Sequence, residues 1–477
     1  MAILGVSAFA ILFTRLALRP ALTTSEELDI AMRKALQHEV DLAHRIADKF
    51  QMENLERDSD RSKVAMVQGI HYWELAKKSL EYRVQMQQAE KSSNYLDQSR
   101  ELGFPIGYEG LGYFAMGMVR RIMGRTGPAI EPLSQAVRRW PAAKSEAYQN
   151  LIEAQLAQNP PALDAAQEAF QRWAEQPILG PLDQQRMRLV NARLDRARGK
   201  LDSAIEALKT IPEDSILRPS SQLLMGWLTY QMAQNANPGK EQERLLAQTS
   251  QELREVIKSP YTVPAERRQA LWLSARALRS NGRVDQALSL LAGLRIGSPQ
   301  TPEALASGVE EIEIMVEQTK GQDAISTAKF LASHMDDESL FHSELFDSQQ
   351  LRSRLLQAGL DLIRLEQFQQ AIDYAKSLPP VCQEVDRVRI HAEAYHAWAN
   401  REQEKLRDTR RPAGMGVGKE RLVDAPVDHP EVRALYEMAG GYFERLSNLE
   451  LMSPKFPDIL WQAIESYQNA KAFESCN

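Results

Sequence analysis

A recurring phase of small residues, glycine and leucine constrains this chain more than any other feature. In "GYFAMGMVRRIMGRTGPAIEPLSQAVRRWP", Gly117 is followed seven residues later by Gly124 and twelve later by Ala129, with Leu133, Ala136 and Pro141 behind. The phase returns as Ala192, Gly199, Ala204, Leu208 and Ile211, and again as Ala275, Gly282, Ala287, Leu291, Leu294 and Pro299. Weaker copies set Ala154 twelve residues before Ala166, with Phe170 and Trp173 behind, and Gly359 twelve before Ala371, with Ala375 and Leu378 behind. The segments between have helical periodicity and are broken by short Gly-, Pro- or Asn-containing stretches, with no strand-like alternation.

Such a unit reads as a helical hairpin. Small residues twelve apart face each other across a tight turn, and the glycine between them suits a helix end that needs left-handed backbone. Leu133, Leu208 and Leu291, with the residues three further on, form the buried stripe of the second helix. One hairpin cannot bury that stripe alone, so neighbours must stack.

The units resemble tetratricopeptide repeats, whose usual length is about 34 residues, with small residues at the helix contact and a proline near the end. The resemblance is closest over residues 110–141, 185–212 and 268–299, and looser over 147–177, 317–335 and 352–379. Between 218 and 258 a hairpin reads as interrupted by "NANPGK". Over 26–105, "YLDQSRELGFP" looks like a second helix whose first helix is off-pattern. The expected fold is all-α: a right-handed α-α superhelical solenoid of about ten stacked hairpins. Its expected parts are an apolar segment over 1–22, degenerate helical repeats over 23–107 and the solenoid over 108–401. A flexible insertion over 402–429 and C-terminal helices over 430–477 complete it.

The totals fit a folded protein rather than a disordered one: 43% hydrophobic and 26% charged residues, with a formal charge of −6 over 477 residues. That balance gives no general reason to expect nucleic acid. Cys382 and Cys476 are the two cysteines. They are too far apart and too few for a disulfide framework or a metal-ligand pattern. At the N-terminus, "MAILGVSAFAILFT" precedes Arg15 and Arg19. A membrane helix needs roughly 18–20 apolar residues, so the run is short for a span, and it lacks the marks of a secretory signal. Two readings stay open: a membrane anchor with the solenoid on the cytoplasmic side, or a first helix of a soluble cytoplasmic protein.

Candidate chemistry is sparse. "RRPAGMGVGKER" at 410–421 ends a glycine run in Gly-Lys, but Ala413 stands where a phosphate loop needs glycine and Glu420 where it needs a hydroxyl. The preceding stretch is helix-like rather than a strand, so the segment reads as part of the insertion. His38 and His44 are six apart, and His391 and His396 five, neither of which is the spacing of a zinc helix. Glu and Asp read mostly as solvated helix faces. No catalytic residue, cofactor or metal is expected.

If the resemblance holds, first helices of successive hairpins line a concave face that receives peptides or proteins. Arg193 and Arg196 follow Ala192 at the offsets at which Arg276 and Arg279 follow Ala275, and Arg121 follows Gly117 comparably. Residues three apart share a helix face, so these five arginines are the candidate partner-binding set, suited to an acidic segment or a peptide carboxylate. The family's Lys/Asn clamp is not reproduced, since Phe114 and Met118 hold the corresponding faces. Trp140, Trp173, Trp227 and Trp272 read as packing residues. "FPDILWQAIESYQNAKAFESCN" resembles the opening helix of a further repeat, with Phe473 at the turn and Cys476 beyond it. The expected function is a non-catalytic interaction scaffold. The alternative is a helical accessory region of a larger enzyme or an envelope or transport assembly.

Overall fold

The structure, a computed structural model, describes residues 22–140, 144–177, 180–334, 348–410 and 429–472. The described residues form twenty-one α-helices, one short 3-10 turn at Met52–Asn54 and no strand. They fall into two compact units, Met1–Arg198 and Gly199–Asn477. The apolar N-terminal run, the glycine-lysine stretch beyond Arg410, Phe473 and Cys476 lie outside the described residues. No described helix is long and apolar enough to cross a membrane.

The first unit contains α1 (Thr24–Leu36), α2 (Val40–Ala47), α3 (Asp58–Lys78), α4 (Tyr82–Glu101), α5 (Glu109–Ile122), α6 (Thr126–Arg139), α7 (Lys144–Leu156), α8 (Leu163–Ala174) and α9 (Pro181–Ala197). Helices α3 and α4, α5 and α6, and α7 and α8 pack as hairpins, while α3, α5, α7 and α9 neighbour one another in turn. The second unit contains α10 (Leu201–Lys209), α11 (Arg218–Asn235), α12 (Lys240–Lys258), α13 (Pro264–Ser280), α14 (Val284–Gly297), α15 (Pro302–Glu317) and α16 (Gly321–His334). It continues with α17 (Ser348–Arg364), α18 (Phe368–Lys376), α19 (Glu384–Arg410), α20 (Pro430–Leu449) and α21 (Phe456–Ala470). Here the hairpins run from α11/α12 to α19/α20, and the first helices α11, α13, α15, α17 and α19 form a continuous row. Each unit is a solenoid-type stack of helical hairpins.

Glycine explains how closely each pair is packed. A Cβ added at Gly69, Gly117, Gly226 or Gly308 would lie 2.5 to 2.7 Å from the side chain of Leu96, Leu133, Leu253 or Leu331 on the following helix. Each first helix thus has a notch that one leucine fills. For Gly117 the occupant is Leu133 rather than Ala129, the small residue the twelve-residue interval had placed opposite it.

Two segments fold more regularly than their sequences suggest. Residues 218–258 are not an interrupted hairpin: "NANPGK" merely holds the turn between α11 and α12, whose contact is sealed by Gly226 on Leu253. The Thr229 and Thr249 hydroxyls also meet across it at 2.9 Å. Helices α3 and α4 are likewise a complete hairpin, with Gly69 receiving Leu96 and the Ser62 and Ser99 hydroxyls 3.0 Å apart. At the other end, α19 continues to Arg410, so residues 402–410, expected to belong to the flexible insertion, are helical. Helix α21 packs on α20, where Gly440 faces the Tyr467 ring.

Candidate binding site

Helix α15 is the centre of the polar structure in the second unit. Thr301 caps it, its hydroxyl accepting from the Ala304 amide, and Pro302 opens it. It is hemmed in by α13, α14, α16 and α17, so even its carboxylates are covered. Glu303, Glu310 and Glu311 are 4%, 3% and 1% exposed. A buried carboxylate is tolerated only if paired, and each of these has an arginine. Glu303 accepts from Arg268 of α13 at 2.9 Å, and Glu311 takes a two-pronged contact from Arg295 of α14 at 2.8 and 3.0 Å.

The candidate arginines of α13 enter this network. Arg276 lies 3.3 Å from Glu310 and rests over the rings of Trp272 and Tyr230, at 5.0 and 5.3 Å. Arg279 reaches Glu310 at 2.8 Å, Glu313 at 3.1 Å and Glu317 at 2.5 Å. From the opposite side, Arg354 of α17 holds Glu310 at 2.9 Å and Glu313 at 2.7 Å. Burial pushes the Glu313 carboxyl up, but hydrogen bonds and charge from Arg354 and then Arg279 outweigh it and leave it below the ordinary range. For Glu311 burial prevails over Arg295, and its carboxyl is raised.

The arginines of the first unit meet a similar partner. Arg121 of α5 and Arg193 of α9 converge on Glu153 of α7, at 3.0 and 2.5 Å, and Arg121 also donates to Asn150. Burial raises the Glu153 carboxyl, and Arg193 followed by Arg121 more than offsets this, leaving it lowered. Arg196 is half-buried three residues beyond Arg193 on α9. The sequence thus located the arginines on first helices, but Arg121, Arg193, Arg276 and Arg279 bind carboxylates of neighbouring first helices. The expectation of solvated acidic faces is corrected for Glu153, Glu303, Glu310 and Glu311. A signal for them was available: Arg279 and Glu313 are 34 residues apart, as are Arg352 and Asp386, which pair at 2.6 Å. One repeat length brings equivalent positions of adjacent first helices together.

Between α15 and α17 the network leaves a cleft of about 640 Å³. Val316, Ala358 and Leu365 supply its apolar lining; Glu317, Gln357 and Asp361 are among its polar groups. Gln357 donates to Asp361 at 2.9 Å, and Arg364 contacts Asp361 at 2.7 Å. Ser353 and Gln357 are exposed lining residues one helical turn apart on α17.

Other candidates are structural. Trp173 and Trp272 are 3% and 2% exposed, and Trp140 and Trp227 are half-buried against Phe114 and Trp272. Cys382 is buried, and that burial pushes its thiol up to about 12, away from thiolate chemistry. Among the described residues no three His, Cys, Asp or Glu side chains gather around a metal position.

The hairpins and their rows of first helices define each unit as an α-solenoid stack of tetratricopeptide-like hairpins. No family model matches the sequence, and no curated protein matches it. Among solved structures it is similar to a Rap protein complexed with competence and sporulation factor, at 14% identity and TM-score 0.39, covering 78% of this chain and 99% of that one. It is also similar to apo RapI, at 13% identity and TM-score 0.38, covering 80% and 98%, and to a human IFIT1 dimer with PPP-AAAA, at 14% and 0.35, covering 84% and 94%. At those scores the likenesses add nothing to what the hairpins themselves define.

Proposed function

We propose that this chain is a non-catalytic binding scaffold that receives a segment of a peptide or protein partner on its row of first helices, seated in the cleft between α15 and α17. The observation that carries this reading is the cleft: an apolar surface from Val316, Ala358 and Leu365 set among polar and charged side chains that can orient a ligand. The ion pairs around it hold its walls in place before any partner arrives, which reduces the ordering cost of binding.

Replacing Ser353 and Gln357 by Trp fills the cleft from two exposed positions and leaves the buried ion pairs untouched. In a pull-down read by mass spectrometry, a partner held by the wild type and lost by the folded double variant supports the reading. A partner held equally by both places binding on another face.

A second reading has an acidic partner segment engaging Arg276 and Arg279 of the candidate set, both on α13 of the second unit. It is favoured by Glu317, whose side chain is 63% exposed while bonded to Arg279. A partner carboxylate could replace it at small cost, since exposed ion pairs contribute only about 0–1 kcal/mol. Under this reading Glu317→Ala strengthens capture of the acidic partner; unchanged or weaker capture rejects it.

A further inference from the structure

We infer that the stack of His44 on His71 is an acid-sensitive latch that holds α2 against α3 near neutral pH and lets it go in acid. The two imidazole rings are parallel, 3.9 Å between centroids and 2° between planes. The Nδ1 of His44 is 2.8 Å from the Gln68 side-chain oxygen, which can only accept, so that nitrogen carries its hydrogen. The Nδ1 of His71 is buried without a hydrogen bond. With both rings neutral the stack is a favourable flat contact. With both protonated it places two cations face to face, where repulsion is strong.

Helix α2 is short, eight residues, and packs on α1 and α3 through Val40, Ala43 and Ala47, with Ile46 partly buried beside them. Asp41 of α2, 3.7 Å from His71 Nδ1 but with a side chain 76% exposed, and Asp48 at its end favour the charged ring; Lys78 of α3 opposes it. Tyr72 of α3 lies edge-on to His71 at 5.4 Å, and α4 adds Tyr95, stacked on Tyr72, and Lys91 over the Tyr72 ring. In α1, Asp29 and Glu27 are engaged by Lys63 and Lys49.

Burial, and then the charge of His44, hold the His71 pKa below its ordinary 6.5. The released segment therefore takes up protons more readily than the docked one. Docking is intact above about pH 6.5 and weakens as the pH falls through and below that value.

The test is hydrogen exchange by mass spectrometry on the full chain at pH 7.5 and 5.5, with rates corrected for intrinsic exchange. Amides of 40–47 should lose at least tenfold in protection relative to α5–α8. His71→Phe, which keeps an aromatic stack and removes the buried titrating ring, should remove most of that loss and His44→Phe a smaller part of it, while His38→Gln at an exposed position should not. Unchanged protection, a loss spread evenly over the chain, or the wild-type loss in either phenylalanine variant would overturn the latch.

Discussion

At the scale of single residues, the turns between helices separate permitted from strained backbone. Gly124, Gly199 and Gly282 adopt φ of 70°, 76° and 72°, the left-handed conformation that the sequence pattern required. At the equivalent turn after α15, Thr319 has φ 59°, and after α17 Glu366 has the same value. Both turns close with the same bond across the helix end, Lys320 N to Met315 O at 2.7 Å and Gln367 N to Leu362 O at 2.9 Å. A β-branched residue is poorly suited to that conformation. Thr319→Gly should raise unfolding stability by up to about 1 kcal/mol, and Gly282→Ala should lower it by about 1 kcal/mol. Urea denaturation of the two variants should therefore shift the midpoint in opposite directions. Equal shifts would mean that the left-handed turn carries no strain.

At the scale of elements, what fixes the spacing of a hairpin is the notch and its leucine. Gly308 and Gly293 are both helical glycines of the second unit, but only the first receives a side chain. A Cβ at Gly308 would lie 2.6 Å from Leu331, whereas nothing approaches one at Gly293 within 4 Å. Gly308→Ala forces Leu331 or the helix aside and should cost about 1–3 kcal/mol. Gly293→Ala should stabilise α14 by about 0.5–1 kcal/mol through helix propensity. Thermal melts of the pair provide the check, and a stabilising Gly308→Ala would remove the notch from the account. The regularity of α11/α12 was hidden because its notch lies at Gly226, 27 residues before Leu253, and not at the short interval seen at Gly117 and Leu133. Longer helices move the partners apart in sequence without moving them apart in space.

At the scale of the whole molecule, successive repeats of the second unit are linked by charge as well as by apolar contact. Arg279 and Arg354 grip α15 from both sides, so removing either leaves buried carboxylates undercompensated. Arg354→Ala should cost about 2 kcal/mol, below the 3–5 of a fully buried pair because its side chain is 31% exposed. Glu317→Gln at the exposed rim should cost under about 1 kcal/mol. Comparing the two by urea denaturation tests the difference; equal costs would show that burial does not govern the network. Arg279→Glu would set a like charge against Glu310, Glu313 and Glu317, so loss of a partner by that variant would report damage to the fold as readily as a lost contact.

The sequence by itself determined the all-α hairpin architecture, the left-handed glycines, the second-helix leucines and the placing of the arginines on first helices. All of these follow from local backbone geometry and from which face of one helix is apolar, and such information is contained within a few turns. Only the tertiary structure decided what those arginines touch, that α15 buries its carboxylates, that a cleft opens beside them, and that His44 meets His71. The physical reason is that charge and ring partners come from different hairpins, and their meeting depends on how each helix is rotated against the next. A one-turn pattern cannot encode that rotation; the packing of notch and leucine sets it.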